Sequence, residues 1–314
     1  MRIVSLLPSA TEIVFALGLG DELVGRTHEC DYPAEALAVP VMTADATRSA
    51  GASSRRINTL VESTVRRGDS IYRLDLHALA DAEPDLVLTQ KLCEVCAVSY
   101  DEVADGLRAI GSDAALVNLE PSSLEGIFNS ISTVGAMSAA EDEAVGLLEL
   151  LRERLAAIEN RVLERRLAGV RPPRVVCLEW LDPPFAAGHW VPEQVRRAGG
   201  WELLGQAGEP SAATTWEQVR DVDPDALMLM PCGFDSARTA AEWATAAKPD
   251  WLDDLRAVRD GEVYALDGSA YFSRPGPRAV DGIAVLAEIF DPDGFVDAAP
   301  AGAWRRVGAA TALP

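Results

Sequence analysis

The sequence predicts an α/β fold: two Rossmann-like lobes joined by one long rigid helix, with a ligand cleft between the lobes. Three observations predict it. First, the chain uses one phrase twice: residues 76–90 read LHALADAEPDLVLTQ and residues 216–230 read WEQVRDVDPDALMLM. Leu76, Leu79 and Ala82 match Trp216, Val219 and Val222, and Pro84-Asp85 matches Pro224-Asp225. Each copy therefore runs from a helical face through Pro-Asp into an apolar strand. Second, RIVSL from Arg2 and RVVCL from Arg174 each lead into a Pro-bearing loop and a helix. Third, Leu148, Leu151, Leu155, Ile158 and Val162 recur between the halves at steps of three and four, the stripe of one helix face.

The elements follow in order. RIVSL (2–6) reads as a strand, and Ser9 with Glu12 reads as a capping box opening a helix that ends at Gly18. ELVGRT (22–27) gives the next strand. The polar stretch 43–55 reads as a loop before a helix over 57–66. The first copy of the phrase supplies a helix and a strand over 76–89, followed by a helix over 100–110 and a strand over 114–119. Strands alternating with helices predict a mostly parallel sheet. Ser138 and Glu141 form a second capping-box pattern at the head of the long helix, which Gly169 and Pro172-Pro173 stop. About 30 residues at 1.5 Å each make a rod of roughly 45 Å, a stiff connection that keeps lobe closure small. The second half repeats the scheme from Arg174 and closes with a helix over 278–290. The Ala/Pro/Gly-rich end reads as loose. The expected domains are a first lobe 1–136, the connecting helix 137–169, a second lobe 170–292 and a tail 293–314.

At 314 residues, 48% hydrophobic and 25% charged, the chain has the composition of a soluble folded protein of two domain-sized units. A net charge of −21 argues against nucleic acid and against an anionic membrane surface as partners. No run of about 18 apolar residues occurs, so no membrane span is expected. A strand beginning at residue 2 leaves no room for a secretory signal, so the expected location is cytoplasmic as the sequence is written, and periplasmic or cell-surface if the true start lies upstream. Five cysteines, an odd count, do not suggest a disulfide scaffold. No Ser-His-Asp or paired-carboxylate arrangement stands out, and GLGDELVG (18–25) lacks the spacing of a dinucleotide loop. Catalysis is not expected, and the chain is expected to be a monomer.

The motifs SLLPSATEIVFALG from Ser5, Asp31-Tyr32-Pro33, the PDLVL strand, DPPFAAGHWVPEQVRRAGG from Asp182 and SRPGPR from Ser273 together span about residues 2 to 290. In this order the chain resembles the class III substrate-binding proteins of ABC importers, which serve cobalamin, ferric siderophores and heme, and within them the cobalamin (vitamin B12) subgroup. The resemblance implies transport of a bound corrinoid with no required cofactor, and it carries over Tyr32, Phe185, Trp216 and Arg274 as ligand contacts. It also implies docking to an importer permease. Docked members carry one surface glutamate per lobe, seven residues before the Pro of Pro-Asp, which pairs with permease arginines. Glu217 holds that position in the second half, whereas His77 replaces the glutamate in the first. Losing one of two interfacial charge pairs weakens docking. With the missing signal, this points to a cytosolic relative that binds ligand without serving a transporter.

Ligands of open α/β sheets sit beyond the carboxyl ends of the strands. Those ends offer Pro8, Ser9, His28, Cys30, Tyr32, Gln90, Cys93, Cys96 and Glu120 in the first half. The second half offers Trp180, Phe185, His189, Trp190, Thr215, Trp216, Phe234, Tyr271, Phe272 and Arg274. A corrin ring is broad and apolar with amide arms, and it needs aromatic walls plus a few hydrogen-bonding groups. The expected ligand-binding set is Ser9, Tyr32, Gln90, Phe185, His189, Trp190, Trp216, Tyr271, Phe272 and Arg274; Trp180 and Trp190 can equally pack the second lobe.

Cys93-Glu-Val-Cys96 follows a strand directly. It reads as a turn lining the cleft, as a redox pair, or as part of a metal site with Cys30 and His28 as completing ligands. His28 and His189 are candidate axial ligands to cobalt or iron, although a lone histidine is more often a hydrogen-bonding loop residue. Three functions stay open: corrinoid capture between the lobes, heme or ferric-siderophore binding by the same fold, and an intracellular thiol- or metal-dependent module built on Cys93 and Cys96. The first is preferred, because Arg274 is the one cationic residue placed in the cleft for an anionic siderophore.

Overall fold

The structure, a computed structural model, describes residues 1–47, 49, 51–67, 69–90 and 98–307. In the first part of the chain the elements are β1 (Ile3–Ser5), α1 (Pro8–Ala16), β2 (Leu23–Arg26), β3 (Thr43–Asp45), α2 (Ser54–Arg66), β4 (Tyr72–Leu74), α3 (Leu76–Asp81), β5 (Leu86–Thr89), α4 (Tyr100–Ala109), β6 (Ala115–Asn118), α5 (Leu124–Met137) and α6 (Glu141–Leu167). There follow β7 (Arg174–Leu181), β8 (Pro184–Ala186), α7 (Val191–Arg197), β9 (Trp201–Glu202), β10 (Ala212–Ala213), α8 (Trp216–Val222), β11 (Ala226–Leu229) and α9 (Ser236–Thr245). The last are α10 (Arg256–Arg259), β12 (Val263–Leu266), α11 (Gly268–Tyr271), α12 (Ala279–Phe290) and β13 (Trp304–Arg306). The chain divides into two compact units: Met1–Ala52, Arg56–Pro121 and Glu125–Leu150 form one, and Ser53–Arg55, Ser122–Leu124 and Leu151–Pro314 the other. Helix α6 is thus shared, changing unit after Leu150. No helix among the described residues is long and apolar enough to cross a membrane.

The first unit holds a parallel sheet in the order β2-β1-β5-β6, with β3 and β4 forming a separate antiparallel pair. Its core gathers Val4 of β1, Leu6 just after it, Val87 of β5, Leu79 of α3, and Val103 and Leu107 of α4. Two expectations are corrected here. Ser9 and Glu12 form no capping box: α1 begins at Pro8, its N-cap is Leu7, and no side chain caps it. Proline already fits the first helical turn, where the missing N–H costs nothing. The stretch read as a loop contains β3, whose Thr43–Asp45 pairs with Tyr72–Leu74 far along the chain, beyond the reach of local patterning.

The second unit is built on the order β10-β8-β7-β11-β12-β13, with β9 also beside β7. Strands β7, β11 and β12 are parallel, while β8 folds back on β7 and β13 runs antiparallel to β12. Residues 304–306 therefore correct the expectation of a loose end. Trp304 stacks edge-on to Tyr264 at 5.6 Å and its Nε1 donates to Glu288 at 3.0 Å, enough to hold the edge strand in place.

Helix α6 carries the expected stripe: Leu148, Leu151, Leu155, Ile158 and Val162 are all buried. Glu141, Asp142 and Glu143 in its first turn and Arg165 and Arg166 in its last complement the helix dipole. Its 27 residues span about 40 Å. Gly169 ends it with φ of +82°, a left-handed position that glycine takes without steric cost. Ser138 does not cap α6. Its Oγ donates to Val134 O at 2.7 Å and so closes α5, a helix not read from the sequence.

Candidate functional site

In the first unit the carboxyl end of β1 runs into α1, and the polar groups there are turned inward. Thr11 Oγ1 donates to Ser5 Oγ at 2.8 Å and lies 3.0 Å from Cys30 Sγ, while Cys30 is only 1% exposed. Ser9 is buried as well. Cys30 is a core contact under α1, and Ser9 is buried in the first turn of α1. Arg26, not singled out from the sequence, organises the loop that follows. Its buried guanidinium donates to Thr27 O and Cys30 O at 3.1 Å each and to Val39 O at 3.1 Å. Tyr32 is carried on that loop, 47% exposed, beside a cis bond to Pro33.

His28 is held by protein groups. Nδ1 lies 2.8 Å from Thr43 Oγ1, the same hydroxyl accepts the His28 backbone N–H at 3.1 Å, and the ring tilts against Tyr72 at 5.5 Å. Its Nε2 is buried and 3.3 Å from Glu29 Oε1 without hydrogen-bond geometry. Gln90 is half-buried and its backbone bridges to Ser99. Cys93 and Cys96 lie outside the described residues. Among the described residues no group of three or more His, Cys, Asp or Glu gathers where it could hold a metal ion.

In the second unit the β7–β8 hairpin sets Trp180 opposite Phe185, and Trp180 meets Phe234 edge-on at 5.7 Å. Phe185 is half-buried. The indole Nε1 of Trp180 is buried without a hydrogen-bond partner, as is that of Trp190. Trp216, expected as a ligand contact, packs into the core of this unit. It is 8% exposed, packs on Trp243 at 6.0 Å, and joins Val176, Val219, Leu227 and Leu229 under α8. The reason is helical spacing: Trp216 and Val219 share the face that covers the sheet. Trp190 and Phe272, 7% and 3% exposed, are buried too and belong to the packing of this unit.

Two buried arrangements position the remaining residues. Gln194, fully buried, donates through Nε2 to Tyr271 O at 3.1 Å and to Ala279 O at 2.8 Å, and so fixes the loop carrying Tyr271 and Arg274. His189 adopts φ of +51°, donates its backbone N–H to Glu209 O at 2.6 Å, and accepts from Gly208 at 2.8 Å. Burial pushes the His189 imidazole below its ordinary value. On β7, burial pushes the Glu179 carboxyl up to about 7, partly offset by its hydrogen bond with Ser211.

Arg274 is buried and does not stand alone. Arg278 lies 5.7 Å from the Tyr271 ring centre and Arg238 stacks 3.6 Å over Phe234. Burial raises the Asp267 carboxyl, while its hydrogen bond from Ala270 N and the charges of Arg278 and Arg274 draw it back down.

Helices α3 and α8 are the two copies of the repeated phrase, and His77 and Glu217 are each the second residue of their helix. Both are exposed. Asp75 caps the first helix through His77 N and Ala78 N, and Thr215 with Gln218 forms a capping box on the second.

Similarity to known proteins agrees with this architecture. A substrate-binding lipoprotein of an ABC transporter from Bacillus subtilis, YvrC, is 26% identical over 304 residues, covering 94% of this chain and 81% of that protein. A vitamin B12-binding protein from Vibrio cholerae is 24% identical over 288 residues, covering 90% and 86%. The crystal structure of a periplasmic heme-binding protein from Pseudomonas aeruginosa superposes with a TM-score of 0.69 at 20% identity, covering 93% of each chain. The family of periplasmic binding proteins matches residues 3–270. With two α/β units, the repeated helix–Pro-Asp–strand phrase in each, and a family match over most of its length, the chain belongs to the periplasmic binding protein family.

Proposed function

We propose that the chain captures cobalamin or a related corrinoid as a substrate-binding protein, without catalysis. The observation that carries this is the likeness to the Vibrio cholerae vitamin B12-binding protein over nine-tenths of the chain. In the second unit half-buried Phe185 and Tyr271 supply aromatic surface for a broad ring and His189 a polar group for its amide rim; the first unit offers exposed Tyr32 and half-buried Gln90 for the same chemistry. Glu217 is the candidate contact to an importer permease; at the matching position His77 offers no carboxylate. Purification from native cells followed by an absorbance spectrum tests the assignment, with corrinoid bands expected. Calorimetry that finds no binding of any corrinoid overturns it.

A second reading keeps the fold and changes the ligand to heme or a ferric siderophore. The likeness to the Pseudomonas aeruginosa heme-binding protein supports it, and a Soret band in the same spectrum would select heme. A thiol-dependent activity is separated from both by replacing Cys93 and Cys96 with serine. Corrinoid binding is expected to persist in that variant.

A further inference from the structure

We propose that Glu179 is a ligand contact of the second unit that reads an acceptor oxygen: as a neutral acid it donates its O–H to a carbonyl or carboxamide oxygen of the ligand. The proposal rests on the substrate-binding reading above and names the chemistry that this part of the molecule selects.

The backbone turns Glu179 out of the strand ladder. Leu178 pairs with Ala186 and Trp180 with Phe185, so the register of β7 on β8 shifts across Glu179. Two residues oppose one, and such a bulge re-aims a side chain beside a site. Glu179 also lies near the carboxyl end of β7 (Arg174–Leu181), the end at which α/β units receive ligands. It is pinned there, because Glu179 O accepts Cys232 N at 3.1 Å from the loop after β11.

The carboxyl has one partner and room for another. Ser211 Oγ accepts Gly188 N at 3.0 Å, which leaves its O–H to donate to the Glu179 carboxyl. The frame around that bond is tight: a Cβ on Gly188 would fall 2.4 Å from Glu209 O and 2.5 Å from Ser211 N. Among the described residues no cation pairs with Glu179. The titratable groups on the neighbouring segments are Asp182 on the same hairpin, which pairs with Arg55, His189 and Glu209 on the loops that Ser211 ties together, and Cys232. None of them sets the state of the carboxyl, which follows burial and the Ser211 bond.

Burial without a counter-charge favours the neutral acid. A neutral carboxyl that accepts from Ser211 on one oxygen has an O–H to give from the other, as an acid kept neutral by its site does. The residue keeps some solvent contact, so a ligand can reach it. Two further donors call for acceptors. The indole Nε1 of Trp180, next in the strand, and that of Trp190, next to His189, are buried without a partner. Donors of this kind suit a ligand rich in carbonyl or carboxamide oxygens.

The probe is cyanocobalamin, whose rim amides do not titrate near neutral pH, and the measurement is calorimetry from about pH 6 to about pH 8.5. The proteins are the unmodified chain, Glu179→Ala and Glu179→Gln, with circular dichroism and thermal melting to confirm that each variant folds. Affinity of the unmodified protein should fall about tenfold across that range, because the ionised carboxylate has no proton to donate. Glu179→Ala should bind about tenfold more weakly at the acid end and show no such fall. Glu179→Gln, which keeps an N–H donor and does not titrate, should recover most of the affinity lost in Glu179→Ala and stay flat with pH. Binding by Glu179→Ala as tight as that of the unmodified protein, or a pH profile that persists in Glu179→Gln, overturns the proposal and leaves the substrate-binding reading intact. If cyanocobalamin binds none of the folded proteins at any pH, the corrinoid reading fails and the proposal falls with it.

Discussion

Asp225 and Arg174 close a two-bond ring: Arg174 N donates to Asp225 Oδ2 at 2.7 Å, and Asp225 N donates to Arg174 O at 2.7 Å. The first unit repeats it. Arg2 N donates to Asp85 Oδ2 at 2.7 Å and Asp85 N to Arg2 O at 2.8 Å. Arg2 Nε then reaches Ala82 O, and Arg174 Nη2 reaches Val222 O, at 2.7 and 2.6 Å. The residues before the two prolines, Glu83 and Asp223, take φ of +40° and +41°. The Pro-Asp phrase is therefore a device that ends a helix with a left-handed residue and ties the entry of one parallel strand to its neighbour.

Removing the carboxylate should cost stability in both units, more in the second. Asp225 also accepts Arg256 Nη1 at 2.7 Å, so Asp225→Ala strands two donors where Asp85→Ala strands one. Expected losses are about 1 kcal/mol for Asp85→Ala and about 2 kcal/mol for Asp225→Ala. Urea unfolding midpoints at constant slope measure both.

Glu179 and His189 should give opposite pH dependences. The Glu179 carboxyl rises from its ordinary 4.5 to about 7 on folding, so the folded state holds a proton that the unfolded state has released. Stability from this group is complete below pH 4.5 and is lost as pH rises towards 7. His189 is pushed below 6.5, so its effect appears as pH falls through 6.5, when the unfolded chain protonates first. Glu179→Gln should flatten the alkaline limb of a stability–pH curve and His189→Asn the acid limb. A curve unchanged by either substitution would show that these groups titrate alike in both states.

Trp216 and Phe185 should separate stability from binding. Trp216→Ala opens the core of the second unit and should cost about 3–5 kcal/mol. The fraction that stays folded should bind ligand with unchanged affinity. Phe185→Ala should lose little stability and weaken binding about tenfold. Calorimetry beside thermal melting on the two variants tests this pair.

Gly282→Ala should disturb the loop bearing Tyr271 and Arg274. A Cβ there would lie 2.6 Å from both Gln194 Nε2 and Tyr271 O, backbone that a buried glutamine already holds. Overpacking of this kind costs about 1–3 kcal/mol, and ligand affinity should fall with it. A melting temperature equal to that of the unmodified protein would mean that the loop yields freely.

The sequence by itself determined the α/β class, the twofold repeat, the parallel strands β1 and β5, β7 and β11, and the stripe and stop of α6. Periodicity and helix punctuation act within a few residues, so they survive in a linear reading. What only the tertiary structure decided depends on partners far apart in the chain. Ser138 looks like an N-cap until Val134 O is seen to accept its hydroxyl hydrogen bond. Trp216 stands at a strand-and-helix junction suited to a ligand, and Trp243 claims its ring for the core. Cys30 follows a strand end as a ligand would, yet Thr11 holds it under α1. Arg274 looked like a solitary cation, and folding sets it with Arg278 near the Asp267 carboxyl. Residue type and spacing give a side chain its chemical potential, but burial and long-range contact determine whether that chemistry is spent on the fold or left for a ligand.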